Sequence, residues 1–182
     1  IGFAYIVNHQ VPDALVERVR AESKTFFTLS KEEKNALAMN EWHRGYMTPN
    51  SSTIVTSTVA KNTKPNQSES FMVMHELAPD DPDVLAGKPL AGPNQWPAQQ
   101  PALRDAVQEY VAAMEDLSRR LTKLIALCLD LTPDFFQPYF ERPTTFLRLL
   151  HYPPTPVEEG MFGSAPHTDY GFITLVAQDD LG

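Results

Sequence analysis

The sequence predicts an α+β fold, and three observations carry that prediction. One apolar stripe recurs every three or four residues from Leu103 to Leu131, the period of a helix with one face buried. Short β-rich runs without that period stand at 1–8, 70–74, 145–152 and 172–176. Between them lie polar or Pro-rich stretches that read as loops.

Residues 1–8 hold Phe3, Tyr5, Ile6 and Val7 and end in the polar Asn8, His9 and Gln10, which predicts a buried strand leaving for a loop. Pro12 suits a first helical turn, where no amide bond is lost, and Leu15, Val19, Ser23, Phe26 and Phe27 follow at helical spacing. An amphipathic helix covering a sheet is the expectation. Ser30 and Glu33 form a capping box for a second short helix through Met39. From 40 to 70 the chain is rich in Ser and Thr and nearly aperiodic, predicting loops with short extended pieces at 45–47 and 53–59.

Residues 70–74 read as a better strand, and the Pro- and Asp-rich run from 79 to 101 as a long connection. Its Asp80, Asp81 and Asp83 lack the glycine and spaced ligands of a calcium loop, so a solvated turn is expected. The stripe at Leu103, Val107, Tyr110, Met114, Leu117, Leu121, Leu124, Cys128 and Leu131 marks the longest helix. Its Tyr and Cys, and flanks without sustained charge pairing, argue against a coiled coil. Thr132 followed by Pro133 and Asp134 predicts a capped short helix carrying Phe135 and Phe136. Residues 145–152 are apolar and extended and end at Pro153-Pro154, which cannot continue a ladder. A Pro-rich loop at 153–166 precedes the last apolar run, and no internal repeat is present.

A length of 182 residues suits one domain that buries roughly 70% of its unfolded surface. The net charge of −8 and sequence pI near 5.0 argue against nucleic-acid and anionic-membrane partners, which attract basic patches. Small molecules are the expected ligands. The single cysteine, Cys128, forms no internal disulfide, reads as buried packing and suits a reducing compartment. No run approaches the ~18 apolar residues of a membrane span, and no signal-peptide pattern opens the chain, so a soluble, cytoplasmic protein is expected. Both ends read as cut, since each falls against an apolar run.

The chemistry concentrates in Pro166-His167-Thr168-Asp169-Tyr170-Gly171. On an extended segment His167 and Asp169 project to one side and can share one ion, while Thr168 points away. A His and a carboxylate on one strand, completed by a distant His, make the facial triad that leaves Fe(II) positions open. The spacing alone is weak, because five His and 23 acidic residues in 182 give about 0.6 such pairs by chance. Arg148, Leu150 and Tyr152 share one face of their strand. A carboxylate-bearing ligand would meet a guanidinium fork and a phenol there, although a surface ion pair and a half-buried ring satisfy the same pattern.

Six landmarks in order carry a resemblance. They are Gly2-Phe3-Ala4-Tyr5-Ile6-Val7-Asn8-His9, His43-Arg44-Gly45-Tyr46, Glu69-Ser70-Phe71, Gly92-Pro93-Asn94-Gln95-Trp96-Pro97, Leu147-Arg148-Leu149-Leu150-His151-Tyr152-Pro153-Pro154 and His167-Thr168-Asp169-Tyr170-Gly171. Over nearly its whole length the chain resembles the isopenicillin N synthase-like family of Fe(II)- and 2-oxoglutarate-dependent oxygenases. The resemblance implies an N-terminal non-haem dioxygenase region over 1–140 and, over 141–182, the first part of a double-stranded β-helix, or jelly roll, left incomplete. It implies that His167 and Asp169 are iron ligands. By the same pattern Tyr152 and Arg148 meet 2-oxoglutarate, or a substrate carboxylate in the oxidase branch.

No residue is given acid–base or nucleophilic work of its own. The family's second iron His and Arg-x-Ser carboxylate clamp are expected beyond Gly182, and His9, His43, His75 and His151 do not match ligand positions. The implied activity is oxidation of a small organic substrate by O2. An iron oxidase that does not use 2-oxoglutarate, a catalytically incompetent truncated module and a zinc hydrolase stand as alternatives, the last normally needing three protein ligands.

Overall fold

The computed structural model describes residues 2–55, 57, 63–156 and 158–179. The chain divides into two units, the first made of the residues up to Met47 with Ser70–His151, the second of Thr48–Glu69 with the residues from Tyr152 onward. The architecture is α+β: several helices and one three-stranded sheet.

Helix α1 (Asp13–Phe27) starts after Pro12, and its buried face is Leu15, Val19, Phe26 and Phe27, the stripe the spacing predicts. Helix α2 (Lys31–Asn35) has the full capping box, with the Ser30 side chain accepting from the Glu33 amide and the Glu33 carboxylate accepting from the Ser30 amide. It stops at Asn35 rather than Met39. Leu37 and Met39 instead serve the next strand: the Tyr46 amide donates to Leu37 O at 2.7 Å, and the Met39 amide donates to Tyr46 O at 2.9 Å.

Strand β1 (Gly45–Met47) pairs antiparallel with β2 (Glu69–Met74), with Tyr46 opposite Phe71. Strand β3 (Phe146–His151) flanks β2 on its other side. Gly45 is required here. Its φ is +121°, and a Cβ would collide with the Leu37 carbonyl and the Gln95 side chain. Two short helices, α3 (Pro82–Leu85) and a 3-10 turn (Gln137–Phe140), punctuate the connections around the long helix α4 (Pro101–Cys128).

The first unit's core forms where α1 packs on α4 and both bury side chains beside the sheet. Phe26 is fully buried, with its ring centroid 4.5 Å from Phe71 and 5.3 Å from Phe27. Leu103, Ala106 and Val107 supply the matching face of α4 and are fully buried. Burying a side chain of this kind contributes about 1.5–3 kcal/mol each. The Arg18–Glu109 ion pair and the Gln100 amide, which donates to the Glu22 carbonyl at 2.8 Å, tie the helices at their edges.

Several landmark residues prove to be backbone clamps. Arg44 is 1% exposed, and its guanidinium donates to the carbonyls of Trp42, Leu90 and His75 at 2.8, 2.7 and 3.2 Å. Burial pulls its pKa below the ordinary arginine value. The Asn94 amide both accepts from the Met74 N–H at 2.9 Å and donates to the Met74 carbonyl at 2.8 Å, so a side chain completes the strand end as a neighbouring strand would. Gln95 donates in a similar way to the carbonyls of Ala38 and Arg44.

Four sequence expectations are corrected. Residues 2–8 form no strand, and Phe3 is 93% exposed, because among the described residues no strand pairs with them; Ile1 lies outside the described residues. Cys128 is exposed rather than buried: it is the last residue of α4, beyond the buried part of its stripe. Phe135 and Phe136 sit in turns leading to the 3-10 helix, stacked edge-on at 5.0 Å, rather than in an α-helix. The acidic run at 80–83 is more than a solvated turn, since Asp81 caps α3 and accepts from Arg142 while Asp83 pairs with Lys88 and Arg142. Of the extended piece expected at 53–59, residues 53–55 and 57 carry no strand, and 56, 58 and 59 lie outside the described residues.

Candidate metal centre

The second unit is built mostly without regular structure, so hydrogen bonds between its loops hold its shape. The Asn66 backbone N–H donates to Ser52 O at 2.8 Å, and its backbone carbonyl accepts from the Asn50 N–H at 3.2 Å. The Gln67 N–H donates to Phe162 O at 2.9 Å, and Asn66 Oδ1 accepts from the Ala165 N–H at 3.0 Å. Lys64 Nζ reaches the Glu158 carboxylate and the Glu159 carbonyl. Residues 64–67 therefore grip the Pro-rich loop immediately before His167.

His167 stands two residues past Ala165, and its Nδ1 lies 2.8 Å from the Ala165 carbonyl oxygen. A carbonyl only accepts, so this contact assigns the proton to Nδ1 and leaves the lone pair of the neutral ring on Nε2. Nε2 faces Asp169 Oδ1 at 3.1 Å. Two acceptors at that separation need a positive charge between them. A proton supplies it as an imidazolium–carboxylate pair. A metal supplies it equally well, since donors about 2.0–2.2 Å from one cation in adjacent positions lie about 3 Å apart. The nitrogen-and-oxygen donor pair, the fixed tautomer and side-chain exposures of 41% and 53% all fit a metal ion approached from solvent.

The segment is extended in burial pattern but not a ladder strand. Ile173 and Leu175 are half-buried while Phe172, Thr174 and Val176 are exposed, the alternation of a strand. Gly171, at φ +99°, bends the chain between Tyr170 and Phe172. Among the described residues this run is not assigned to a sheet. His167 and Asp169 nonetheless meet, as the i, i+2 spacing anticipates.

Tyr152 belongs to the same unit, 47% exposed, with its ring against the backbone of Gly163. Arg148 lies on β3 in the first unit, where its Nε donates to the buried Ser70 Oγ at 3.0 Å. Among the described residues no group of three or more His, Cys, Asp or Glu side chains converges on one point. Sequence reading overlooked Asn66 and Gln67, because a polar pair in an aperiodic loop gives no local sign of bonds to residues about a hundred positions away. Their place beside Pro65 was the only signal.

Comparison with known proteins shows the family of the chain. The sequence profile of the family described as non-haem dioxygenase in morphine synthesis, N-terminal, matches residues 1–99. The chain belongs to the non-haem dioxygenase family. The six sequence landmarks agree with this relationship. The 2-oxoglutarate-Fe(II) type oxidoreductase hxnY of Emericella nidulans is 35% identical over 188 residues, covering 99% of this chain and 52% of that protein. The homoarginine-6-hydroxylase 2-ODD-C23 of Glycine max is 34% identical, covering 98% and 54%. The chain thus spans about half the length of the curated relatives it matches.

Among solved structures, a 2OG-Fe(II) oxygenase family protein from Caulobacter crescentus superposes with a TM-score of 0.68 at 27% identity, over 84% of this chain and 47% of that one. A full-length Neurospora crassa protein in complex with alpha-KG gives 0.63 at 26%, over 80% and 43%. No helix among the described residues of this non-haem dioxygenase chain is long and apolar enough to cross a membrane.

Proposed function

We propose that the protein is an Fe(II)- and 2-oxoglutarate-dependent oxygenase that oxidises a small organic substrate with O2, with His167 and Asp169 as two of its iron ligands. The observation that carries this reading is the 3.1 Å approach of His167 Nε2 to Asp169 Oδ1, with Nδ1 committed to a backbone carbonyl. The names of the relatives and of the alpha-KG complex support the cofactor and cosubstrate. Residues 1–140 act in this reading as the N-terminal region and 141–182 as the first part of a jelly roll.

Bound iron supplies the redox chemistry with O2 and 2-oxoglutarate; the chain's own residues bind and orient. Nδ1–H of His167, held by Ala165 O, keeps the ring from turning and points Nε2 outward. Asp169 brings a negative charge that balances part of the cation's. Tyr152 offers a phenolic O–H to a carboxylate of the cosubstrate or substrate, and its ring limits access of water. Arg148, in the first unit, bears donors beyond the Nε that holds Ser70, a fork of the kind a carboxylate ligand takes.

Anaerobic addition of Fe(II) and 2-oxoglutarate to the whole protein tests the reading. A weak visible charge-transfer band that needs both additions is expected. Binding of Zn²⁺ with no such band would favour the hydrolase alternative.

A further inference from the structure

We infer that Asn66 is a positioning residue for the metal-binding histidine, acting through Ala165. The inference rests on the assignment of His167 as a ligand and goes beyond it. Asn66 Oδ1 accepts from the Ala165 N–H at 3.0 Å, and the carbonyl of the same Ala165 accepts from His167 Nδ1 at 2.8 Å. Asn66 is 6% exposed and Ala165 2%, so water does not replace either partner readily. One amide side chain therefore fixes the residue whose carbonyl selects the imidazole tautomer.

Two features make the link stiff enough to transmit position. Ala165 precedes Pro166, which restricts Ala165 to extended backbone and so fixes the direction of its carbonyl once its N–H is held. Asn66 is itself held on both sides of its backbone, through Ser52 O and Asn50 N, and Gln67 beside it bonds Phe162 O. The oxygen that catches Ala165 is thus anchored in three stretches of the second unit. A histidine that both ring nitrogens could protonate would present the wrong nitrogen to a cation for part of the time. Asn66 prevents this without touching the ring.

The test uses the whole protein and two readouts. In the metal-free state, 15N chemical shifts of the His167 ring report the tautomer. Measured in an Asp169→Ala background, which removes the acceptor facing Nε2, the chain with Asn66 intact is expected to show a protonated Nδ1 and a bare Nε2, Asn66→Ala a mixture of both neutral forms, and Asn66→Asp, which keeps an acceptor oxygen, the pattern of intact Asn66. In anaerobic Fe(II) titration Asn66→Ala is expected to weaken binding about tenfold, the low end for partners behind a ligand, with Asn66→Asp restoring it. Gln67→Ala, which removes the neighbouring bond from the Gln67 side chain to Asn50, should leave both readouts unchanged. An unaltered tautomer in Asn66→Ala, or equal losses in Asn66→Ala and Gln67→Ala, would overturn the inference. If His167→Ala binds Fe(II) as the wild type does, the ligand assignment fails instead, a result the tautomer readout distinguishes.

Discussion

The ring of Tyr152 lies against the backbone of Gly163 so closely that a Cβ at that glycine would stand 2.7 Å from Cδ1 and 3.0 Å from Cε1. The Pro-rich loop thereby returns onto the residue that opens it. Gly163 has no positive φ to satisfy, so its smallness serves the aromatic ring.

Gly163→Ala is therefore expected to push the Tyr152 ring aside, at a cost in the about 1–3 kcal/mol range of overpacked sites. If Tyr152 meets 2-oxoglutarate, the variant's affinity for it should fall roughly tenfold, as 1.4 kcal/mol implies, with Fe(II) affinity unchanged. Calorimetric titration of both ligands checks this. Equal losses for both would show that the loop as a whole had moved.

Phe26 joins α1 to the sheet through Phe71, with Phe27 and Tyr46 edge-on beside it. Phe26→Ala should destabilise the protein by about 3–5 kcal/mol, the range for a buried aromatic whose cavity cannot collapse. Urea denaturation followed by circular dichroism measures it. A change below about 1 kcal/mol would mean that the core is not organised around this ring.

The Ser30 hydroxyl, and then its backbone N–H, hold the Glu33 carboxyl below its ordinary value of 4.5. A depressed folded pKa contributes stability that is fully present above the ordinary value and is lost as pH falls through the lowered one. Glu33→Gln should accordingly lose less thermal stability than the wild type when pH is taken from about 6 to about 3. Parallel acid limbs for the two proteins would remove Glu33 from the pH dependence.

How far the sequence carried the reading depends on whether a feature was local. The stripe of α1 with Leu15, Val19, Phe26 and Phe27, the Ser30–Glu33 capping box and the long helix with Leu103, Val107, Tyr110 and Leu117 were legible because each repeats within a turn or two. Phe3, Tyr5 and Val7 misled, since β propensity states a preference and a strand needs a partner. Cys128 misled in the same way, because at the helix end Ala126 is fully buried while Leu124 and Cys128 of the apolar stripe are exposed, so the buried face there is not the one the periodicity marks. At the site, His167 and Asp169 were legible as an i, i+2 pair. Asn66 was not, because its bond to Ala165 spans 99 positions and leaves no trace in either neighbourhood.

The proposed function requires one cation shared by His167 and Asp169, and anaerobic Fe(II) titration of the whole protein with His167→Ala, Asp169→Ala and the double variant tests it most directly. Each single change should weaken binding at least about a hundredfold, and the double change should add little, because either loss already breaks the same site. Wild-type affinity in either single variant would contradict it.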